Sequence, residues 1–365
     1  MKSVLQVCAF GAPNPGNFIA SLFALEKRLT DKGYSTIYAF AETAKDKAWC
    51  KDLCKDHRVY FLPVAKARIL PQTYSVIKKI YAENDICIAH SHFELYDIPV
   101  TLMAPKNIKV FWHLHDPLPD KISGLRGILT KIQYGIMGQK ATLISVSEHY
   151  RKQVVKLGFP AKQSVTILNG ISLERIRPVY SNSNDRQYTF LTFCWDFYRK
   201  GTDLILDACD RMHEEGYLFN ILLNGNDQTW PYVKEHYQNN IPPYIECGGP
   251  VEDVNSLYSN TLSFIQASRR ETFSYAVCEA AYAGLPVISS DIAGLEWAHD
   301  LSTVVFFKKG NTDELYECMK KIVNKSWRLK GDDIRSIRDI IENSFSLKNW
   351  CEKILQIYAP YMQWQ

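Results

Sequence analysis

The 365-residue chain has no run approaching ~18 unbroken apolar residues, so no segment reads as a membrane-spanning helix. Its opening, MKSVLQVCAFGAP, holds only a short apolar run interrupted by Gln6 and lacks the long apolar stretch of a secretory leader. Solenoid-length repeats and low-complexity tracts are missing. Cysteine is not scarce, but the ten cysteines are scattered through apolar patterns rather than spaced as a disulfide framework, which suits reduced thiols in a cytoplasm. Cys50 and Cys54 come nearest to a pair, yet no second Cys or His pair completes a tetrahedral zinc site. A hydrophobic content of 46% with 22% charged residues excludes a mainly disordered chain, and the length suits two domains, each able to bury its own core.

Charge is present but unevenly placed. Residues 1–175 carry 24 Lys and Arg against 14 Asp and Glu, while residues 176–365 carry 19 against 25. The first half is therefore basic by 10 and the second acidic by 6. Such asymmetry often marks a half that meets an anionic surface, membrane or nucleic acid, and its plain alternative is a solubilising bias.

The periodicity is that of alternating strands and helices. SVLQVCAF, STIYAFA, VYFLPV, DICIAHS, KVFWHLH and TLISVS read as buried strands, with NFIASLFALEKRLTDKGY as the first intervening helix. A second series begins at TFLTFCW and continues through FNILLNG, YIECGG, LSFIQAS, PVISSD and STVVFF. This rhythm predicts an α/β protein of two Rossmann-like, doubly wound domains, 1–176 and 189–350. The polar break RPVYSNSNDRQY at 177–188 is the expected linker, and 351–365 is expected to return to the N-terminal domain. Ligands in such sheets sit beyond the carboxyl ends of the strands, so the loops there should carry the chemistry, in a cleft between the domains.

Several phosphate motifs are absent from those loops. VCAFGAPNPGNFIASL opens a helix near Asn17 but has no Gly-Lys-Ser/Thr, and Gly11 and Gly16 are too far apart for a dinucleotide fingerprint. A glycine loop of this kind still lets backbone approach a phosphate, and Gly16 is the candidate contact. In RRETFSYAVCEAAYAGLPVISSD, Glu271 falls in a loop after a strand and Glu279 on the helix that follows, which ends at Gly284. Between them the amides of Phe273, Ser274, Tyr275 and Ala276 lie at a helix N-terminus, where free N–H groups bind phosphate oxygens. A carboxylate at either end can accept hydrogen bonds from vicinal hydroxyls. KVFWHLHDPLPD offers His113 and His115 on one face of a strand end, and IAHSHFELYD offers His90 and His92. Four histidines invite a metal, but carboxylates in ligand spacing are lacking, so none is expected.

QASRRETFSYAVCEAAYAGLPVISSDIAGLEW resembles the E-x7-E signature of family-four retaining glycosyltransferases with the GT-B fold, a resemblance that extends over nearly the whole chain. It implies that Glu279 holds the ribose hydroxyls of a nucleotide-sugar donor. Glu271 would contact the donor's sugar, with the amides of Phe273 and Ser274 beside it. In FCWDFYRKGTDLILDACDRM, Lys200 and Gly201 match a Lys-Gly pair whose cation neutralises the donor diphosphate, with Arg199 as a second candidate. Cys194 stands where the resemblance places an arginine. His115 matches a histidine that touches the sugar or positions the acceptor, and Gly16 lies in the loop that faces the donor phosphate.

The function so implied is retaining transfer of a sugar from a nucleotide diphosphate sugar to a hydroxyl acceptor, without a divalent ion or other cofactor. Glu271, His115 and Lys200 are the expected catalytic groups, and the diphosphate itself takes the acceptor proton. The partners are the donor and a glycan or lipid-linked acceptor of surface-polysaccharide synthesis, with an anionic membrane surface and no nucleic acid. The expected place is the cytoplasm, peripheral on the inner face of the membrane. VAKARILPQTYSVIKKIY and DKISGLRGILTKIQYGIMGQK are the basic amphipathic stretches that would lie there, unless their apolar faces pack on the sheet. A sugar-nucleotide epimerase and an inactive glycan-binding relative of the same fold are the alternatives.

Overall fold

The computed structural model describes residues 1–119, 122–179, 186–327, 329 and 331–362. Lys121, the side chains of Leu125 and Arg126, residues 180–185 of the expected linker and the last three residues of the expected C-terminal return lie outside the described residues. The chain divides into two compact units, Met1–Gly170 with Leu347–Gln365, and Ile171–Ser346.

The first unit contains β1 (Ser3–Cys8), α1 (Gly16–Thr30), β2 (Ser35–Ala41), α2 (Ala48–Asp56), β3 (Val59–Leu62), α3 (Pro71–Glu83) and β4 (Ile86–His92). It continues through α4 (Asp97–Met103), β5 (Lys109–Leu114), α5 (Gly124–Gly135), β6 (Ala141–Ser145), α6 (Glu148–Lys156) and β7 (Ser164–Thr166). Its seven strands pair in parallel in the order β3-β2-β1-β4-β5-β6-β7. Parallel strands need crossover helices, and helices on both faces bury both faces, which is why β1 is apolar at four of its six positions and buried throughout. Leu5, Val7, Val110 and Trp112 form one core with Ile77 and Ile80 of α3. Their neighbours Val4, Phe111 and Ile144 point to the opposite face, into a second core.

The second unit contains β8 (Tyr188–Phe193), α7 (Thr202–Glu214), β9 (Ile221–Asn224), α8 (Trp230–His236), β10 (Ile245–Gly248), α9 (Asn255–Ser259) and β11 (Thr261–Gln266). Next come α10 (Tyr275–Ala283), β12 (Val287–Asp291), β13 (Val304–Lys308), α11 (Thr312–Val323) and α12 (Gly331–Phe345). Its six strands are parallel in the order β10-β9-β8-β11-β12-β13. Both sheets are doubly wound, as the sequence predicts. In the first the direction of winding reverses between β1 and β4, in the second between β8 and β11, and the crevice at such a reversal is where these folds hold ligands.

The first unit ends at Gly170, six residues before the expected boundary. The segment after it is tied to the second unit by the amides of Ile171, Arg177 and Val179. They donate to Phe345 O (2.7 Å), Asn255 Oδ1 (2.7 Å) and Ala283 O (2.8 Å). The chain returns at Leu347 as α13 (Leu347–Tyr358), whose Trp350, Cys351, Ile354 and Tyr358 fill the second core of the first unit. A Cβ on Gly170 would lie 2.7 Å from that of Trp350, so this junction requires glycine.

The two basic amphipathic stretches behave differently. The apolar side of α3 is used internally, with Ile77, Ile80 and Tyr81 buried in the core, so the expectation that it faces a membrane is corrected there. Along α5 and the residue after it, Ile128, Leu129, Ile132 and Ile136 are 58%, 57%, 47% and 63% exposed. Their spacing puts them on one side of the helix, which is left about half exposed.

Candidate active site

At the reversal point of the second sheet, the loop after β8 (194–201) meets the loop after β11 (267–274). Two glycines allow the contact. Gly201 has φ +66°, and a Cβ there would lie 2.1 Å from Ala267 O. A Cβ on Gly294 would lie 1.8 Å from Glu271 O, so the segment after β12 presses directly on the backbone of the acid.

These approaches bring Lys200 and Glu271 together, both buried. Lys200 Nζ donates to Glu271 Oε1 at 2.7 Å and Arg199 approaches the same oxygen at 3.4 Å. Ser268 Oγ (2.9 Å) and Gln266 Nε2 (3.0 Å) also donate to it. Burial pushes the Glu271 carboxyl up. The Lys200 ammonium, then Arg199 and the hydrogen bonds from Lys200 and Ser268, outweigh that and hold it below the ordinary carboxylate range. All these bonds fall on Oε1, and among the described residues Oε2 accepts none. The carboxylate is thus fixed by one oxygen while the other keeps its capacity to accept. Arg269 is committed elsewhere, with both terminal nitrogens on the Asp203 carboxylate at 2.7 and 2.6 Å.

Beyond Glu271 the loop enters α10 through Ser274. This residue has φ +58° and caps the helix by accepting from Val277 N at 3.4 Å. The ring of Phe273 is buried and stacked on Trp297 at 4.8 Å, and Trp297 Nε1 donates to Phe273 O at 2.8 Å. Phe273 therefore belongs to the core by its side chain and can offer a ligand only its amide. Glu279, on α10, is buried and accepts from Tyr258 Oη at 3.0 Å. Burial first, and the Glu279 charge second, push the Tyr258 hydroxyl well above its usual range, so it remains a donor.

Cys194 does not face this site. It is buried in the core with Phe190, Ile205 and Ile265, and burial raises its thiol to about 12. The side chain beside the two cations is that of Trp195, with Lys200 Nζ 4.6 Å and the Arg199 guanidinium 4.8 Å from its ring centroid. The expectation that position 194 would meet a phosphate is corrected accordingly. The β8 strand direction carries Cys194 inward, and the chain turns outward one residue later.

The corresponding reversal point of the first unit holds Gly16 and the histidines. Gly16 begins α1 with φ +56°, and a Cβ there would meet nothing within 4 Å. His90 and His92 at the end of β4 and His113 and His115 at the end of β5 project from one face and stack, with His113 and His115 centroids 4.0 Å apart. His90 Nε2 lies 3.1 Å from His113 Nδ1, and His92 Nδ1 lies 3.0 Å from His115 Nε2. The hydroxyl of Tyr358 is hydrogen-bonded to His90 Nδ1, and Gln6 Oε1 is 2.9 Å from His92 Nε2. Burial pushes His90 and His115 down to about 3 and holds His92 and His113 well below the ordinary imidazole value, so all four are neutral imidazoles near pH 7. The ligand atoms of His90, His92 and His113 lie within 4.8 Å of one another, so the three could hold an ion. His113 Nε2 is buried without a hydrogen-bond partner among the described residues, whereas the other five nitrogens of these three rings are engaged with one another, with His115, Tyr358 and Gln6, and an ion taking them would have to replace those bonds.

Comparison with known proteins agrees with this architecture. The family model "Glycosyltransferase Family 4" matches residues 20–175 and "Glycosyl transferases group 1" matches residues 188–325, one in each unit. The phosphatidylinositol N-acetylglucosaminyltransferase gpi3 subunit of Schizosaccharomyces pombe is 21% identical over 370 residues, covering 97% of this chain and 77% of that protein. The capsular polysaccharide biosynthesis glycosyltransferase CapM of Staphylococcus aureus is 21% identical over 239 residues, 60% of this chain and 62% of its own. The crystal structure of Anabaena HepE in complex with UDP superposes with a TM-score of 0.76 at 16% identity, covering 99% of this chain and all of that one (100%). The chain is a glycosyltransferase of the GT-B fold. Within that class it is of the family-four type, with one family model on each of its two Rossmann-like units.

Of the site residues expected from sequence, Lys200, Arg199 and Glu271 are brought into contact, and Ser274 and Glu279 follow on the same loop and helix. Trp195, Gln266, Ser268 and Tyr258 were not anticipated. Gln266 and Ser268 could have been found from alternation at the end of β11, because they share the parity that a side chain turned toward Glu271 requires.

Proposed function

We propose that the second unit binds a nucleoside diphosphate sugar and that the enzyme transfers the sugar to a hydroxyl with retention at the anomeric carbon. The observation that carries this reading is the Lys200–Glu271 pair, a buried carboxylate fixed through Oε1 by two cations with Oε2 able to take a sugar hydroxyl. Breaking the bond from the anomeric carbon to the diphosphate leaves negative charge on a phosphate oxygen. Lys200, Arg199 and the amides of Phe273 and Ser274 are suited to stabilise it. Glu279 is read as the acceptor for the ribose hydroxyls. No protein nucleophile is assigned; the acceptor hydroxyl attacks the face the diphosphate leaves and passes its proton to a departing phosphate oxygen. The positive charge that a divalent ion would bring is supplied by Lys200 and Arg199, so transfer is read as metal-independent. Gly16 and His115 are assigned to the donor phosphate and to the sugar or acceptor. Neutral His115 suits a hydrogen-bonding role rather than that of a charged acid. Uridine is the base supported by the Anabaena complex.

The test is calorimetry with uridine diphosphate followed by product analysis against a panel of uridine diphosphate sugars, with and without EDTA. Proton NMR of the product reports the anomeric configuration. Donor turnover without an acceptor would point instead to an epimerase, and binding with no turnover to an inactive relative.

The acceptor is read as lipid-linked, held at an anionic membrane surface. Support comes from the phosphatidylinositol in the name of the yeast relative and from α5. From Lys121 to Ser147 the sequence has four basic residues and no Asp or Glu. The exposed aliphatic row of α5 lies within that stretch. A helix with this composition suits the headgroup boundary, each cation adding ~1 kcal/mol near an anionic surface. Sedimentation with vesicles containing anionic lipid should show binding that falls as salt rises and is lost in an Ile128→Ser, Ile132→Ser variant. Absence of binding at low salt would favour a soluble glycan acceptor, and that reading of the site in the second unit would stand.

A further inference from the structure

Trp195 is 50% exposed beside a buried charge cluster, and two cations lie over its ring. Lys200 Nζ is 4.6 Å and the Arg199 guanidinium 4.8 Å from the ring centroid, both inside the ~6 Å range in which the negative face of an indole attracts a cation. The same cations converge on Glu271 Oε1. Arg199 is also held from its own turn, with Nε donating to Asp196 Oδ2 at 2.8 Å. Two like charges are therefore kept close by two carboxylates and one aromatic plane.

The three holders differ in what they leave for a ligand. A carboxylate occupies N–H donors and repels an incoming phosphate. The indole face does neither: it attracts the cation by its quadrupole, forms no hydrogen bond with the N–H groups, and adds no negative charge. When a diphosphate displaces the cations from their carboxylates, Trp195 can keep both in place with their donors turned to the phosphate oxygens. It directly follows Cys194, where the resemblance places an arginine, and Arg199 brings a cation to its ring from four residues later in the chain.

We infer that Trp195 is a positioning residue for diphosphate binding, holding Arg199 and Lys200 as a paired cationic clamp. The inference rests on the donor-site reading above and extends it to a residue that carries no charge. It predicts that Trp195 acts on the affinity for diphosphate through Arg199, and that the group needed is an aromatic face.

The test uses the full chain and two probes, uridine diphosphate and inorganic pyrophosphate, the second having no base to stack. Trp195→Ala should bind both about tenfold more weakly, as expected for losing two cation–π contacts, with its melting temperature unchanged because the side chain is half-exposed. Trp195→Phe should restore most of the affinity. In a double-mutant cycle, adding Trp195→Ala to Arg199→Ala should weaken binding less than it does in the wild type. In turnover, the loss should fall on KM for the donor more than on kcat. If Trp195→Ala binds pyrophosphate like the wild type while Lys200→Ala does not, the clamp is overturned and the donor site stands. If the loss is confined to uridine diphosphate, Trp195 stacks on the base and the clamp is again overturned. If the wild type binds neither probe, the donor-site reading itself fails.

Discussion

Lys200 Nζ lies 2.7 Å from Glu271 Oε1, joining two loops that follow adjacent strands at the reversal point of the second sheet. A buried pair of this kind is weak evidence for stability, because the desolvation of both charges offsets their attraction. Its presence is better explained by a ligand that uses the charges.

The first prediction follows from that pairing. Lys200→Ala should abolish measurable transfer and weaken uridine diphosphate binding by at least an order of magnitude, since hydrogen bonds to charged groups contribute ~1.5–3 kcal/mol. Glu271→Gln, which keeps the shape but not the charge, should reduce kcat more than diphosphate affinity. Circular dichroism would establish that each variant folds, because removing one partner of a buried pair can cost ~3–5 kcal/mol. Full activity in the folded Lys200→Ala protein would remove this residue from the site.

Cys194→Arg tests the correction made at that position. From the resemblance alone an arginine there would restore a phosphate contact. The structure instead puts the side chain in the core, with Cys194 Sγ 2.9 Å from where a Gly225 Cβ would be. An arginine would have to bury its charge or displace that packing. We expect a loss of ~3 kcal/mol or more and a visibly lower melting temperature, whereas Cys194→Ala should cost no more than about 1–2 kcal/mol. A stable Cys194→Arg protein with tighter donor binding would reverse the assignment.

The third prediction concerns Ser274, whose φ of +58° costs a residue with a Cβ roughly 1–3 kcal/mol. Glycine adopts this backbone without that strain and replaces a serine cap at a cost of only a few tenths of a kcal/mol. Ser274→Gly should therefore fold with equal or higher thermal stability. Ser274→Val, which keeps a Cβ and loses the cap, should be clearly destabilised. If glycine lowers the melting temperature by more than a few degrees, the hydroxyl is doing more than accepting from Val277.

The doubly wound fold was legible because parallel strands buried on both faces leave largely apolar runs such as SVLQVCAF, which mark all six strands of the second sheet and six of the seven in the first, the three-residue β7 being too short to show. The placing of Glu271 in a loop and Glu279 on the helix after it was legible because loop-to-helix spacing is local, whereas Lys200 was singled out by the resemblance. What was hidden depends on side-chain direction and on contacts between distant segments. The inward turn of Cys194 and outward turn of Trp195 are decided where β8 ends, which periodicity cannot place to one residue. The boundary at Gly170 was hidden for the same reason, since bonds from Ile171 and Val179 to Phe345 and Ala283 assign the segment to the second unit. The exposure of α5 against the burial of α3 could not be read either, because both patterns are amphipathic.

The last prediction concerns pH and the first unit. Asp97, at the start of α4, is 3% exposed with Oδ1 making no hydrogen bond among the described residues. Burial, with the Glu94 carboxylate adding to it against the pull of Arg68, raises its carboxyl from 3.8 to about 8. A raised folded value means that the native state holds a proton the unfolded chain has released. Stability from this group is complete below about pH 4 and is lost as pH rises toward about 8. The buried histidines act in the opposite sense. Their folded values lie below the ordinary 6.5, at about 3 for His90 and His115, so the unfolded chain takes up protons that the native state refuses. Their contribution is complete above about pH 6.5 and falls as pH drops toward about 3. Between pH 4 and 6.5 the four histidines outweigh the one aspartate, and above 6.5 the aspartate acts alone. These groups therefore place the stability maximum near pH 6.5, with a steep acid side and a shallow alkaline side. Asp97→Asn should match the wild type near pH 4 and exceed it at pH 8 by on the order of a few kcal/mol, steepening the rise between pH 4 and 6.5 and flattening the alkaline side. Melting temperatures from pH 4 to 9 would show this, and an Asp97→Asn protein less stable than the wild type at pH 8 would mean that the carboxylate is paired and ionised in the native state.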